Sequence, residues 1–128
     1  MQIEEIRDIA VAALEEIKAR DIVVLDVKRL TSLFDYLIVA SGDSTRQTKA
    51  LARNVHDRIK AAGGTIIGIE GEQSGEWVLV DLGAVVVHVM QPAVRDYYNL
   101  EQLWGGETYR RATPPRRPGW ANQDGAHP

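Results

Sequence analysis

The sequence predicts an α/β domain, a mixed five-stranded sheet flanked by helices, over residues 1–105, with a tail over 106–128. Three observations predict it. Residues 76–90, EWVLVDLGAVVVHVM, are two β-branched apolar runs meeting at Gly83-Ala84, a hairpin pattern with glycine at the first turn position. Residues 36–70 run strand, helix, strand, the pattern of a parallel βαβ crossover. Residues 2–20 place apolar side chains at three- and four-residue steps, the mark of an amphipathic helix.

Each element has a local reason. Ile3, Ile6, Ile9, Ala10, Ala13, Leu14 and Ile17 form the apolar stripe of the first helix, with Glu4, Glu5 and Asp8 at its positive end and Lys18 and Arg20 at its negative end. Residues 21–27, DIVVLDV, read as the first strand, and residues 36–40, YLIVA, as the second. Asp26 and Asp35 bracket the connection between them and take turn or cap roles. Ser44 with Gln47 three residues on is a capping-box spacing that opens a second helix. Leu51, Val55, Ile59 and Ala62 give that helix its buried stripe, and Gly63-Gly64 ends it. Residues 65–70, TIIGIE, read as the third strand, and a glycine-flanked loop leads into the hairpin. Pro92 starts one last helix through Trp104. From about Gly105 the chain is rich in Pro, Gly and Ala without periodicity, and disorder is expected.

Within the hairpin, a two-residue loop sets Leu82 against Val85, Val80 against Val87 and Val78 against Val89, a wholly apolar face that demands burial. The other face carries Trp77, Leu79 and Asp81 on one strand and Val86, His88 and Met90 on the next. Such a mixture either lies under helices or meets a partner.

Composition narrows the classes. The 128 residues are 45% hydrophobic and 26% charged, enough for one domain with a modest core. No apolar run approaches the roughly 20 residues of a membrane span, and the N-terminus lacks a signal-peptide pattern, so a cytoplasmic location is expected. With no cysteine, disulfides, thiolate chemistry and cysteine zinc sites are excluded. Residues 1–109 hold 11 basic and 17 acidic groups, while residues 110–128 hold four arginines and one acid. An acidic body argues against broad capture of nucleic acid and suits a basic protein partner.

Four stretches carry a family resemblance: DIVVLDV, LTSLFDYLIVASGDSTRQTKALA, EGEQSGEWVLVDLGAVVVHVM and RDYYNLEQLWG. In order and spacing, over roughly residues 3–105, they resemble the Iojap / ribosomal silencing factor family. The resemblance implies a nucleotidyltransferase-like topology without that activity and no cofactor. It implies binding to the large ribosomal subunit through large-subunit ribosomal protein fourteen. Subunit joining would then be blocked and translation repressed under nutrient limitation, with self-association as a homodimer through the same domain. Where the family carries tyrosine and aspartate beside the turn glycine, this chain has Leu82 and Ala84, so the turn tip offers no polar side chain.

The docking candidates are Trp77, Leu79, Asp81, His88 and Met90 from the hairpin, with Tyr97, Tyr98, Glu101 and Trp104 from the last helix. Interface centres favour Trp, Tyr and Met with a few orienting polar groups. Glu70, Gly71, Glu72 and Gly75 lead straight into Trp77 and would border a basic partner. The alternative is a nucleotide-handling enzyme built on Ser41-Gly42-Asp43-Ser44, a strand-to-helix turn of the kind that cradles phosphate. Its metal carboxylates would have to be Glu70 and Glu72, because Asp-x-Asp occurs nowhere. His56, His88 and His127 are too dispersed for a metal pair or a triad. RNA binding by Arg110, Arg111, Arg116 and Arg117 is a third reading, without sequence-specific recognition.

Overall fold

A computed structural model describes residues 1–104 and, as backbone, residues 109–111. The elements run α1 (Ile3–Glu16), β1 (Arg20–Asp26), β2 (Tyr36–Ser41), α2 (Thr45–Ala61), β3 (Gly68–Glu70), β4 (Trp77–Asp81), β5 (Val85–Met90), α3 (Pro92–Tyr98), α4 (Leu100–Trp104) and β6 (Tyr109–Arg111). The strands make one mixed sheet in the order β3-β4-β5-β2-β1-β6. Among the described residues only β2 and β5 pair in parallel, and every other neighbouring pair is antiparallel. The five expected strands are all present, and β6 adds a sixth at the β1 edge.

The central strand β2 is buried along its whole length, as its unbroken YLIVA run requires of a strand covered on both faces. On one face α1 and α2 seal a core of Leu14, Ile22, Ile38, Leu51, Val55 and Ile59 with the hairpin's Val78, Val80, Leu82, Val85, Val87 and Val89. On the other face Val23, Leu25, Val27, Leu37, Val39 and Met90 form a second core beneath Phe34, Val94, Leu100 and Trp104. Each buried aliphatic side chain contributes roughly 1.5–3 kcal/mol of transfer free energy, so these two cores carry the stability.

The hairpin register is the expected one, with Val78 opposite Val89, Val80 opposite Val87, and the Leu82 amide donating to the Val85 carbonyl at 2.9 Å. Gly83 has φ 88°, which a side chain would oppose. Ser44 caps α2 by accepting from the Gln47 amide at 3.0 Å, while Gln47 Oε1 accepts from the Asp43 amide at 2.7 Å.

Three expectations change. The strand after α2 runs in the direction of β2 but lies at the far edge, with β4 and β5 between them, and β3 pairs with β4 instead. Hydrophobic pattern fixes a strand's faces and leaves its neighbours open. The single last helix is two, because Asn99 adopts the left-handed conformation (φ 49°, ψ 57°) that asparagine tolerates at a helix C-terminus. Finally, Tyr109–Arg111 is a strand against Val23–Leu25, inside the stretch read as tail. Residues 112–128, with Arg116, Arg117 and His127, lie outside the described residues.

Candidate docking surface

The helices α3 and α4 cover only part of the second sheet face. They lie over β1, β2 and Met90 of β5 and leave the other outward side chains of β3, β4 and β5 as a half-open surface. Cross-strand partners share a face, so the registers place these side chains in rows. Glu70, Leu79 and His88 form one row, and Asp81 and Val86 the next, nearer the turn. Trp77 and Met90 form the row at the opposite end.

Trp77 is the centre of this surface. Its ring lies 4.9 Å from Tyr98 and 5.8 Å from His88, and Tyr98 in turn meets Tyr97 edge-on at 5.0 Å. Tyr97 and Tyr98 remain 81% and 53% exposed, an aromatic step beside the open strands. Trp77 Nε1 donates to His88 Nδ1 at 2.9 Å. The indole is only a donor, so Nδ1 carries no proton and the hydrogen of the neutral imidazole sits on Nε2. Burial pushes the His88 pKa down to about 4, because a desolvated imidazolium is penalised. At neutral pH the surface centre is therefore uncharged.

Acids border it. Glu70 is exposed at the end of β3. Asp81 is half-buried, and its Oδ1 accepts from the Gly83 amide at 2.9 Å, which stabilises the hairpin turn. Glu72 ion-pairs with Arg53 at 3.0 Å. Gly71 has a steric role: at φ 88°, a Cβ there would sit 2.0 Å from the Trp77 carbonyl oxygen. Gly75 is similarly enclosed, with Thr45 Cγ2 2.5 Å from the place of a Cβ.

Three of the sequence candidates are engaged within the domain. Met90 is fully buried in the second core, so it supports Trp77 from within and offers no contact to a partner. The Glu101 carboxylate grips Arg95 through both oxygens, at 3.0 and 3.1 Å, and Arg95 Nη1 donates to Ser41 Oγ at 2.8 Å. Glu101 thus spends its charge inside the domain, locking α4 to α3 and to the end of β2. Trp104 packs against Phe34 at 5.5 Å over the second core. Arg95 is the structural residue that the sequence did not reveal; a buried arginine on a short helix carries no periodic signal.

The enzyme-like features do not converge. Ser41 is buried and held by Arg95, and Ser44 is consumed as a helix cap. Glu70 stands on β3, across β5 and β4 from the end of β2. At roughly 4.8 Å per strand, that is about 14 Å. Ser41 lines a polar hollow of about 280 Å³ with Arg20, Asp21, Arg95 and Asp96. Among the described residues no group of three or more His, Asp or Glu is placed to hold a metal ion. No helix among them is long and apolar enough to cross a membrane.

The chain matches, over residues 1–126, the family model described as ribosomal silencing factor during starvation. It is 62% identical over 107 residues to ribosomal silencing factor RsfS of Chromobacterium violaceum, covering 84% of this chain and 88% of that protein. A crystal structure of a Chromobacterium violaceum protein superimposes with a TM-score of 0.81 at 58% identity, covering 92% of this chain and 98% of the other. A mouse protein named mitochondrial assembly of ribosomal large subunit protein 1 is 35% identical over 100 residues, 76% of this chain and 44% of its own length. A six-stranded mixed sheet with one half-open aromatic face, matched along nearly its whole sequence and in its fold, is therefore a member of the ribosomal silencing factor family, RsfS.

Proposed function

We propose that this protein binds the large ribosomal subunit through ribosomal protein fourteen and represses translation by excluding the small subunit, without catalysing a reaction. The observation that carries this reading is the open half of the second sheet face, centred on Trp77 and stepped by Tyr97 and Tyr98. Leu79 supplies apolar contact between these aromatics and the acid rim of Glu70 and Asp81, and His88 holds the indole in place. Aromatic anchors with a charged rim are the composition of a protein-docking centre, and acids at the rim steer a basic ribosomal protein into register. Family membership and the name of the mouse relative support the large subunit as the target. Repression needs only volume: a domain seated where the other subunit lands prevents simultaneous occupancy.

Calorimetric titration with isolated ribosomal protein fourteen tests the reading. Leu79→Arg and Tyr97→Ala alter half-open and exposed positions, so both variants should keep the wild-type circular dichroism. Each should weaken binding by roughly tenfold or more, the effect of about 1.4 kcal/mol at an interface centre. Unchanged affinity in both variants would remove this face from the interface.

A further inference from the structure

The helix α2 carries a charge pattern that docking on the second sheet face leaves unused. Arg46, Lys49, Arg53, His56 and Lys60 recur at steps of three and four residues along it. At 3.6 residues per turn they fall within an arc of about 80° and span about 21 Å of helix axis. The stripe is turned about 120° from the buried side chains Thr48, Leu51, Ala52, Val55 and Ile59. It belongs to the layer on the opposite side of the sheet from Trp77. Five of the 11 basic residues in the first 109 positions lie on this one helix, which has a single acid, Asp57.

The cations differ in how they are engaged. Arg53 meets Glu72 at 3.0 Å, and Arg58, on the flank toward α1, is held by both oxygens of Glu16. Among the described residues no acid lies within ion-pair distance of Arg46, Lys49 or Lys60. The outward positions between them include no large apolar side chain, so the stripe lacks the anchors of a protein interface. Along the axis Arg46, Lys49 and Arg53 follow at about 4.5 and 6 Å, and Lys60 lies about 10.5 Å beyond Arg53, a row that can run beside several phosphates. Because the rest of residues 1–109 is acidic, that part of the chain attracts a polyanion only when α2 faces it, which orients the encounter.

We infer that Arg46, Lys49 and Lys60 of the α2 stripe grip the phosphate backbone of structured RNA, by charge and without reading sequence, while Glu72 holds Arg53 back. This goes beyond the protein-docking reading and uses a different surface. Three free cations give a dependence of log K on log salt with a slope of about −2.7, so binding weakens about 40-fold between 50 and 200 mM salt. Replacing Glu72 by Gln releases Arg53 as a fourth contact and steepens the slope to about −3.6.

Fluorescence anisotropy of a fluorescein-labelled 20-base-pair RNA duplex with the full chain, from 25 to 200 mM KCl, tests this directly. The triple variant R46E/K49E/K60E should lose at least tenfold in affinity at 50 mM and flatten the slope. E72Q should bind more tightly, and R116E/R117E should keep the wild-type slope. E72Q adds no new charge to a buried site, so it reads the stripe even where the triple variant folds poorly. Absence of wild-type binding at 50 mM would overturn the inference. So would an unchanged slope in both stripe variants, or loss of binding in R116E/R117E alone. None of these outcomes depends on ribosomal protein fourteen, so the two proposals fail separately.

Discussion

Acidification should destabilise this domain through His88 alone by a calculable amount. In the fold the His88 pKa lies at about 4, against an ordinary value near 6.5 in the unfolded chain. As pH falls below 6.5 the unfolded state takes up a proton that the folded state refuses, so stability is complete above that point and drains away toward pH 4. Between pH 7.5 and 4.5 the loss is about 2.5 kcal/mol. His88→Phe isolates it. That variant leaves the Trp77 Nε1 hydrogen without its acceptor, normally 2.9 Å away, at a cost of about 1 kcal/mol at pH 7.5. It no longer has an imidazole to protonate, so it should overtake the wild type by about 1.5 kcal/mol at pH 4.5. Urea unfolding followed by tryptophan fluorescence at the two pH values measures both differences. Every other ionisable group is common to the two proteins and cancels in the difference. Equal losses in wild type and variant would refute the claim that a neutral, desolvated His88 holds the indole.

Two further perturbations follow from the same geometry. Arg95→Met should cost about 3 kcal/mol, because it strands the Glu101 carboxylate, only 15% exposed, without its guanidinium. The double variant R95M/E101L should recover most of that, as read from denaturant midpoints. Gly71→Ala and Gly63→Ala both place a side chain at positive φ, but only at Gly71 does the Cβ meet backbone, the Trp77 carbonyl oxygen. Thermal unfolding should show a loss near 1 kcal/mol at Gly63 and a distinctly larger one at Gly71, with tryptophan emission altered only at Gly71.

Where the fold was legible in the sequence, short-range physics decided the outcome. The hairpin register follows from two β-branched apolar runs that meet at a glycine able to turn left-handed at position 83. The start of α2 follows from one serine and one glutamine three residues apart. What escaped depended on distant partners. That β3 sits beside β4 rather than β2 is a matter of sheet assembly, on which the pattern of TIIGIE is silent. The break at Asn99 hid inside a continuous apolar spacing. On the docking face, alternation put Trp77, Leu79, Asp81 and His88 on one side, as found. It placed Met90 there as well, without showing that the second core would close over that row. Glu101 read as an interface acid because its ion pair with Arg95 crosses a helix break that the sequence does not announce.

In the proposed function an aromatic strand face seats this domain on the large subunit and keeps the small subunit away by bulk alone. Light scattering of purified subunits brought to associating conditions tests it most directly. Prior incubation of the large subunit with the wild type should suppress the scattering rise in proportion to occupancy, and Leu79→Arg should restore it. A full rise with the large subunit saturated by wild-type protein would rule out exclusion of the small subunit by bulk.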